Sequence, residues 1–138
     1  MAPEVITLPS FASEADGAEH FFGTRLSGIP VTPGRASAHE AERQGHRAAA
    51  ILSVKQVHGT DALVVDRPIE PGEMFEGGWD ALVTNQPGLM VTVRTADCVP
   101  VLLHDPVRRV VAAIHAGWRG AVAGIVPKPV ALLVSRFG

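Results

Sequence analysis

The sequence predicts a mixed α/β domain, and three observations carry that prediction. Short apolar runs of β type follow one another between residues 53 and 115, each bounded by Gly, Pro or Asp turn signals. Ala- and charge-bearing segments of helical composition flank that stretch on both sides. Hydrophobic residues make up 46% of the chain and charged residues 19%, the balance of a sequence that packs a core. At 138 residues the expectation is a single domain over 1–138, long enough to bury about two-thirds of its unfolded surface.

Residues 1–35 read as loop, punctuated by Pro3, Pro9, Gly17, Gly23, Gly28, Pro30, Pro33 and Gly34. Ala36–Leu52 is rich in Ala, Glu and Arg, and Ser37 with Glu40 has capping-box spacing, so a helix is expected there despite Gly45. Strands are expected at Ser53–Val57, Ala62–Val65, Ala81–Thr84, Leu89–Arg94, Val99–His104 and Val110–His115. The near-continuous apolar runs at Met90–Arg94 and Val99–His104 fit strands covered on both faces. A helix is expected to start at Trp118, with Ala121, Val122 and Ile125 on one face, and to end or kink at Pro127. Val130–Phe137 is expected to resume as helix, with Pro129 in its first turn.

Charge and cysteine usage exclude several classes. Twelve basic against fourteen acidic residues leave a net charge of −2, which argues against a protein held on nucleic acid by bulk charge. One cysteine excludes an internal disulfide framework and any zinc finger or ribbon needing several thiolates. No apolar run is long enough to span a membrane, and the N-terminus lacks the features of a signal peptide, so the expected location is the cytoplasm.

Three segments place a chemically capable side chain at a strand end beside glycine or charge. In Lys55-Gln56-Val57-His58-Gly59 a strand ends at His58 and Gly59 permits a sharp turn. In Thr95-Ala96-Asp97-Cys98-Val99-Pro100 an acid and a thiol stand between two strands. In Ala113-Ile114-His115-Ala116-Gly117-Trp118-Arg119-Gly120 an apolar strand delivers a histidine into a turn that opens a helix. Two imidazoles and one thiolate are a zinc ligand set that leaves a fourth position open. The same side chains also suit a Cys–His nucleophilic pair oriented by Asp97 or another acid. Spacings of 40 and 17 residues mean that His58, Cys98 and His115 meet only in the fold. Arg119 at the helix start and Arg25 in a glycine-adjacent turn are candidate phosphate or ribose contacts. Trp118 is expected in the core, with stacking on a base as the alternative. His20, His39, His46 and His104 read as surface or packing residues.

These segments, together with Asp80-Ala81-Leu82-Val83-Thr84, occur in one order that resembles the laccase-domain family. That family is also called multicopper polyphenol oxidase, purine nucleoside phosphorylase or peptidoglycan editing factor. The resemblance runs from about Phe21 to Gly124. It implies an α/β sandwich of mixed sheet with flanking helices, and a zinc site at His58, Cys98 and His115. It implies phosphorolysis of adenosine, inosine and methylthioadenosine with phosphate, and deamination of adenosine. Asp97 would carry protons, with Arg25 or Arg119 holding phosphate. Copper is the alternative metal, but multicopper oxidase chemistry needs many histidines in several sites and this chain has six. Members of the family are longer, and their Asn-Leu stretch and Asn-Arg helix start have no counterpart in Ile29–Arg47. A C-terminally short domain is therefore implied, with a catalytically degenerate metal-binding fragment, or a cell-wall peptidoglycan editing factor, as alternatives. A short sheet with open edges is expected to form homodimers.

Overall fold

The computed structural model describes residues 5–8, 18–24, 31–38 and 49–138. The strands are β1 (Val5–Ile6), β2 (Phe22–Gly23), β3 (Arg35–Ala38), β4 (Ala50–Ser53), β5 (Ala62–Val65), β6 (Ala81–Thr84), β7 (Leu89–Thr92), β8 (Val99–Asp105) and β9 (Val110–Ala116). Two helices follow, α1 (Trp118–Ala123) and α2 (Pro127–Phe137).

β3, β4 and β7 form one mixed sheet in that order, and β5, β6, β9 and β8 form a second. β1 and β2 make a separate antiparallel pair. Within the larger sheet β5 and β6 are parallel, whereas β9 runs antiparallel to both β6 and β8. The mixed α/β class expected from the sequence is the observed one.

Period-two alternation explains how the layers stack. Leu63, Val65 and Leu82 face the smaller sheet, where Ala36, Leu52, Leu89 and Val91 meet them. The alternate residues Ala81 and Ile114 pack on Ile125, and Val83 and Ala112 pack with Leu133 and Phe137. β6 is therefore buried along its whole length, covered by a sheet on one side and helices on the other. Its parallel partner β5 is reached by a crossover over residues 66–80, which bonds back to β3 through Ala36 N–H to Glu73 O (2.9 Å) and Phe75 N–H to Gly34 O (2.8 Å).

Ion pairs tie α2 to β5. Lys128 Nζ bonds Asp61 Oδ1 just before the strand (2.8 Å), and Arg136 bonds Asp66 just after it. The helix thus runs in the same direction as the strand.

Five expectations need correction. Ala36–Leu52 is not a helix at its ends: Ala36–Ala38 and Ala50–Leu52 are antiparallel strands in register with each other. Packing of Ala36 and Leu52 in the inter-sheet core outweighs the weak helical preference of alanine; residues 39–48 lie outside the described residues. The strand expected at Ser53–Val57 lies earlier, at Ala50–Ser53, because β4 pairs with β3 and β7 only that far. β7 stops at Thr92 rather than Arg94, where its pairing with β4 ends. The second helix starts at Pro127, whose missing N–H suits a first helical position, and it takes in Pro129 as well. Of the expected apolar face of the first helix only Ile125 is buried; Val122 is 85% exposed.

Candidate metal centre

The site forms where three chain segments converge at the C-terminal end of β9. β9 supplies His115 near its end, and its neighbours Ile114 and Ala116 are buried in the core. Gly117 caps α1 with extended backbone, so the strand passes into a helix in a single residue. Cys98 stands immediately before β8, which pairs with β9 so that Val99 lies opposite Ala116. His58 arrives on the loop between β4 and β5.

Ligand-capable atoms of His58, Cys98 and His115 all lie within 4.8 Å of one another. The two imidazoles meet edge to face, with centroids 4.8 Å apart. His115 is 3% exposed, Cys98 is half-buried and His58 is exposed, so the group opens to solvent on one side.

Two glycines make this convergence possible. A Cβ at Gly117 would lie 2.9 Å from a ring carbon of His58 and 3.3 Å from the Cys98 sulfur. A Cβ at Gly120 would lie 2.9 Å from the Gly59 carbonyl, so only glycine lets α1 rest on the His58 loop. The sharp turn expected at Gly59 belongs instead to His58, which has φ of +59°.

Asp80, for which no role was evident from the sequence, is fully buried beneath the group. One of its oxygens meets the His115 Nδ1 at 2.7 Å and accepts the His58 N–H at 2.9 Å. The other accepts the N–H groups of Gly59 at 2.7 Å and Val57 at 3.2 Å. Burial alone would raise its pKa; the hydrogen bonds from His115 and the three amides outweigh that and hold the carboxyl below its ordinary value. The available signal was an acid opening an otherwise apolar strand, Asp80-Ala81-Leu82-Val83.

Desolvation, followed by the Asp97 carboxylate 3.8 Å away, pushes the Cys98 thiol up from its ordinary value. A metal ion binds a thiol by displacing its proton. The donor set therefore fits a metal: two imidazoles and a sulfur, close-set, with glycine where any side chain would intrude.

The remaining sequence candidates lie outside the ligand group itself. Asp97 is exposed beside Cys98. Arg119 is exposed, its guanidinium carbon 5.3 Å from the Trp118 ring centroid. Trp118 itself is 74% exposed, so the expectation of core packing is wrong: α1 turns that residue outward while Gly120 and Ile125 face inward. Arg25, His39 and His46 lie outside the described residues. His20 accepts the Leu8 N–H at 2.9 Å, and His104 lies in β8; neither belongs to the metal group. A cleft of about 1020 Å³, with Phe22, Leu89, Val91, Leu102 and Thr95 among its walls, takes no wall from His58, Cys98, His115 or Asp80.

An α/β protein with a solvent-open His–Cys–His centre at the junction of a buried strand and a short helix is the class that fold and site define. Residues 32–138 match the family model described as multi-copper polyphenol oxidoreductase laccase, and the chain belongs to that family. It is 48% identical over 101 residues to a purine nucleoside phosphorylase of Streptomyces coelicolor, covering 71% of this chain and 41% of that protein. It is 34% identical over 139 residues to a purine nucleoside phosphorylase of Deinococcus radiodurans, covering 97% of this chain and 53% of that one. Among solved structures it is similar to YlmD from Geobacillus stearothermophilus, with a TM-score of 0.56 and 34% identity over 62% of this chain and 34% of that chain. The chain thus spans about half the length of the curated relatives it matches.

Proposed function

We propose that this chain is the metal-bearing part of a zinc-dependent purine nucleoside enzyme, which splits adenosine, inosine and methylthioadenosine with phosphate and also deaminates adenosine. One observation carries the reading: His58, Cys98 and His115, drawn from three distant segments, present their ligand atoms within 4.8 Å. The names of the relatives supply the substrate class. Zinc bound there would contribute Lewis-acid charge beside the substrate.

The chain's own residues take the other roles. Exposed Asp97 moves protons at the mouth of the site. Exposed Arg119 binds phosphate or a ribose hydroxyl, and Arg25 is the second candidate for that contact. The indole of Trp118 offers a face on which a purine stacks.

The test is adenosine turnover, with adenine and inosine separated by chromatography, in phosphate buffer before and after chelation. The expected outcome is adenine that depends on phosphate and inosine that does not, both lost on metal removal and restored by zinc. Stoichiometric zinc without either product would favour the second reading, a metal-binding unit without turnover. That reading draws on the share of the relatives' length that the chain spans.

A further inference from the structure

We propose that Asp80 is the positioning residue of the metal centre, a single carboxylate that orients both imidazoles; the proposal rests on the metal reading above. Its four contacts divide between the two ligands. Toward His115, Oδ1 sits 2.7 Å from Nδ1. A carboxylate already accepting three amide N–H groups acts as an acceptor here too, so Nδ1 carries the proton and Nε2 is left as the ligating atom. Toward His58, the N–H groups of Val57, His58 and Gly59 all converge on the same carboxylate. Three successive amides reach one point only if the chain between them curls tightly, and His58 does so with φ of +59°. Left-handed backbone is unfavourable for a residue other than glycine, and these bonds are what hold it. Asp80 therefore fixes the tautomer of one ligand and the backbone of the other before any metal arrives.

The main chain at Asp80 is anchored independently. Its N–H donates to the Asp61 carbonyl at 3.0 Å, and its own carbonyl accepts the His115 N–H at 2.7 Å. Changing the side chain therefore leaves the strand start in place, and Asp80→Asn is a usable variant.

The test has two readouts. In the metal-free wild-type chain, ¹⁵N-correlated NMR of the imidazoles should show His115 as the Nδ1–H tautomer. In Asp80→Asn, competition against a chromophoric chelator should show zinc affinity reduced by about 10–100-fold, with an altered ligand-field spectrum when cobalt is loaded instead. An Nε2–H tautomer in the wild type, or unchanged zinc affinity in the variant, would overturn the proposal. If the variant fails to fold, the wild-type tautomer decides alone. A wild-type chain that binds no zinc would sink the metal reading, while the tautomer, read without metal, still judges Asp80.

Discussion

Gly117 shows how little freedom the metal centre has at the scale of single residues. Its backbone, at φ −71° and ψ 164°, suits any amino acid, so its demand for glycine is purely one of space. Gly117→Ala would place a methyl 2.9 Å from the His58 ring and 3.3 Å from the Cys98 sulfur. The expected outcome is a folded chain, with far-ultraviolet circular dichroism unchanged, whose zinc affinity falls at least about tenfold because the ligand geometry is displaced. Equal affinity in the two proteins would mean that the ligands have room the structure does not show. The three ligand-type residues were legible in the sequence because each stands in a distinctive local setting. Asp80 was not, because its role comes from contacts with residues 57–59 and 115, which no local pattern displays. The turn at His58 was misplaced by one residue for a related reason. Glycine is the ordinary choice for left-handed backbone, and only the converging amides explain a histidine there.

Among the elements, α2 is held to the sheet by apolar packing and by ion pairs at both ends of β5. The Arg136 hydrogen bond, foremost, holds the Asp66 carboxyl below its ordinary value. A carboxyl whose folded pKa is depressed stabilises the fold fully above its unfolded pKa and loses that contribution as pH falls through the folded value. Thermal melts of wild type and Asp66→Asn should therefore differ by a constant amount above about pH 5 and converge at lower pH. A difference that persists unchanged into strong acid would show that the pair is not its source. Strands bounded by clear turn signals, Ala62–Val65 and Ala81–Thr84, were legible to the residue. β3 and β4 were not, since alanine-rich sequence has no strand preference of its own. Antiparallel pairing and burial of Ala36 and Leu52 decide their conformation, and both are tertiary facts.

In the molecule as a whole, β6 is the hinge between layers: Leu82 packs toward the smaller sheet and Ala81 and Val83 toward the helices. Leu82→Ala would open a cavity in the inter-sheet core and should cost about 2–5 kcal/mol in denaturant unfolding. A loss well under 1 kcal/mol would contradict the layered packing. The fold class was legible at this scale because apolar runs of strand length alternate with turns, whereas the pairing order of the strands was not. Parallel pairing of β5 with β6 through a long crossover, and of β4 with β7, depends on contacts that sequence distance conceals. The same topology brings together ligands spaced 40 and 17 residues apart. The most direct test of the account is the metal content of the purified chain after exhaustive dialysis, for wild type and Cys98→Ala. The account predicts close to one zinc per wild-type chain and a substantial loss in the variant; a metal-free wild type, or equal zinc in both, would contradict it.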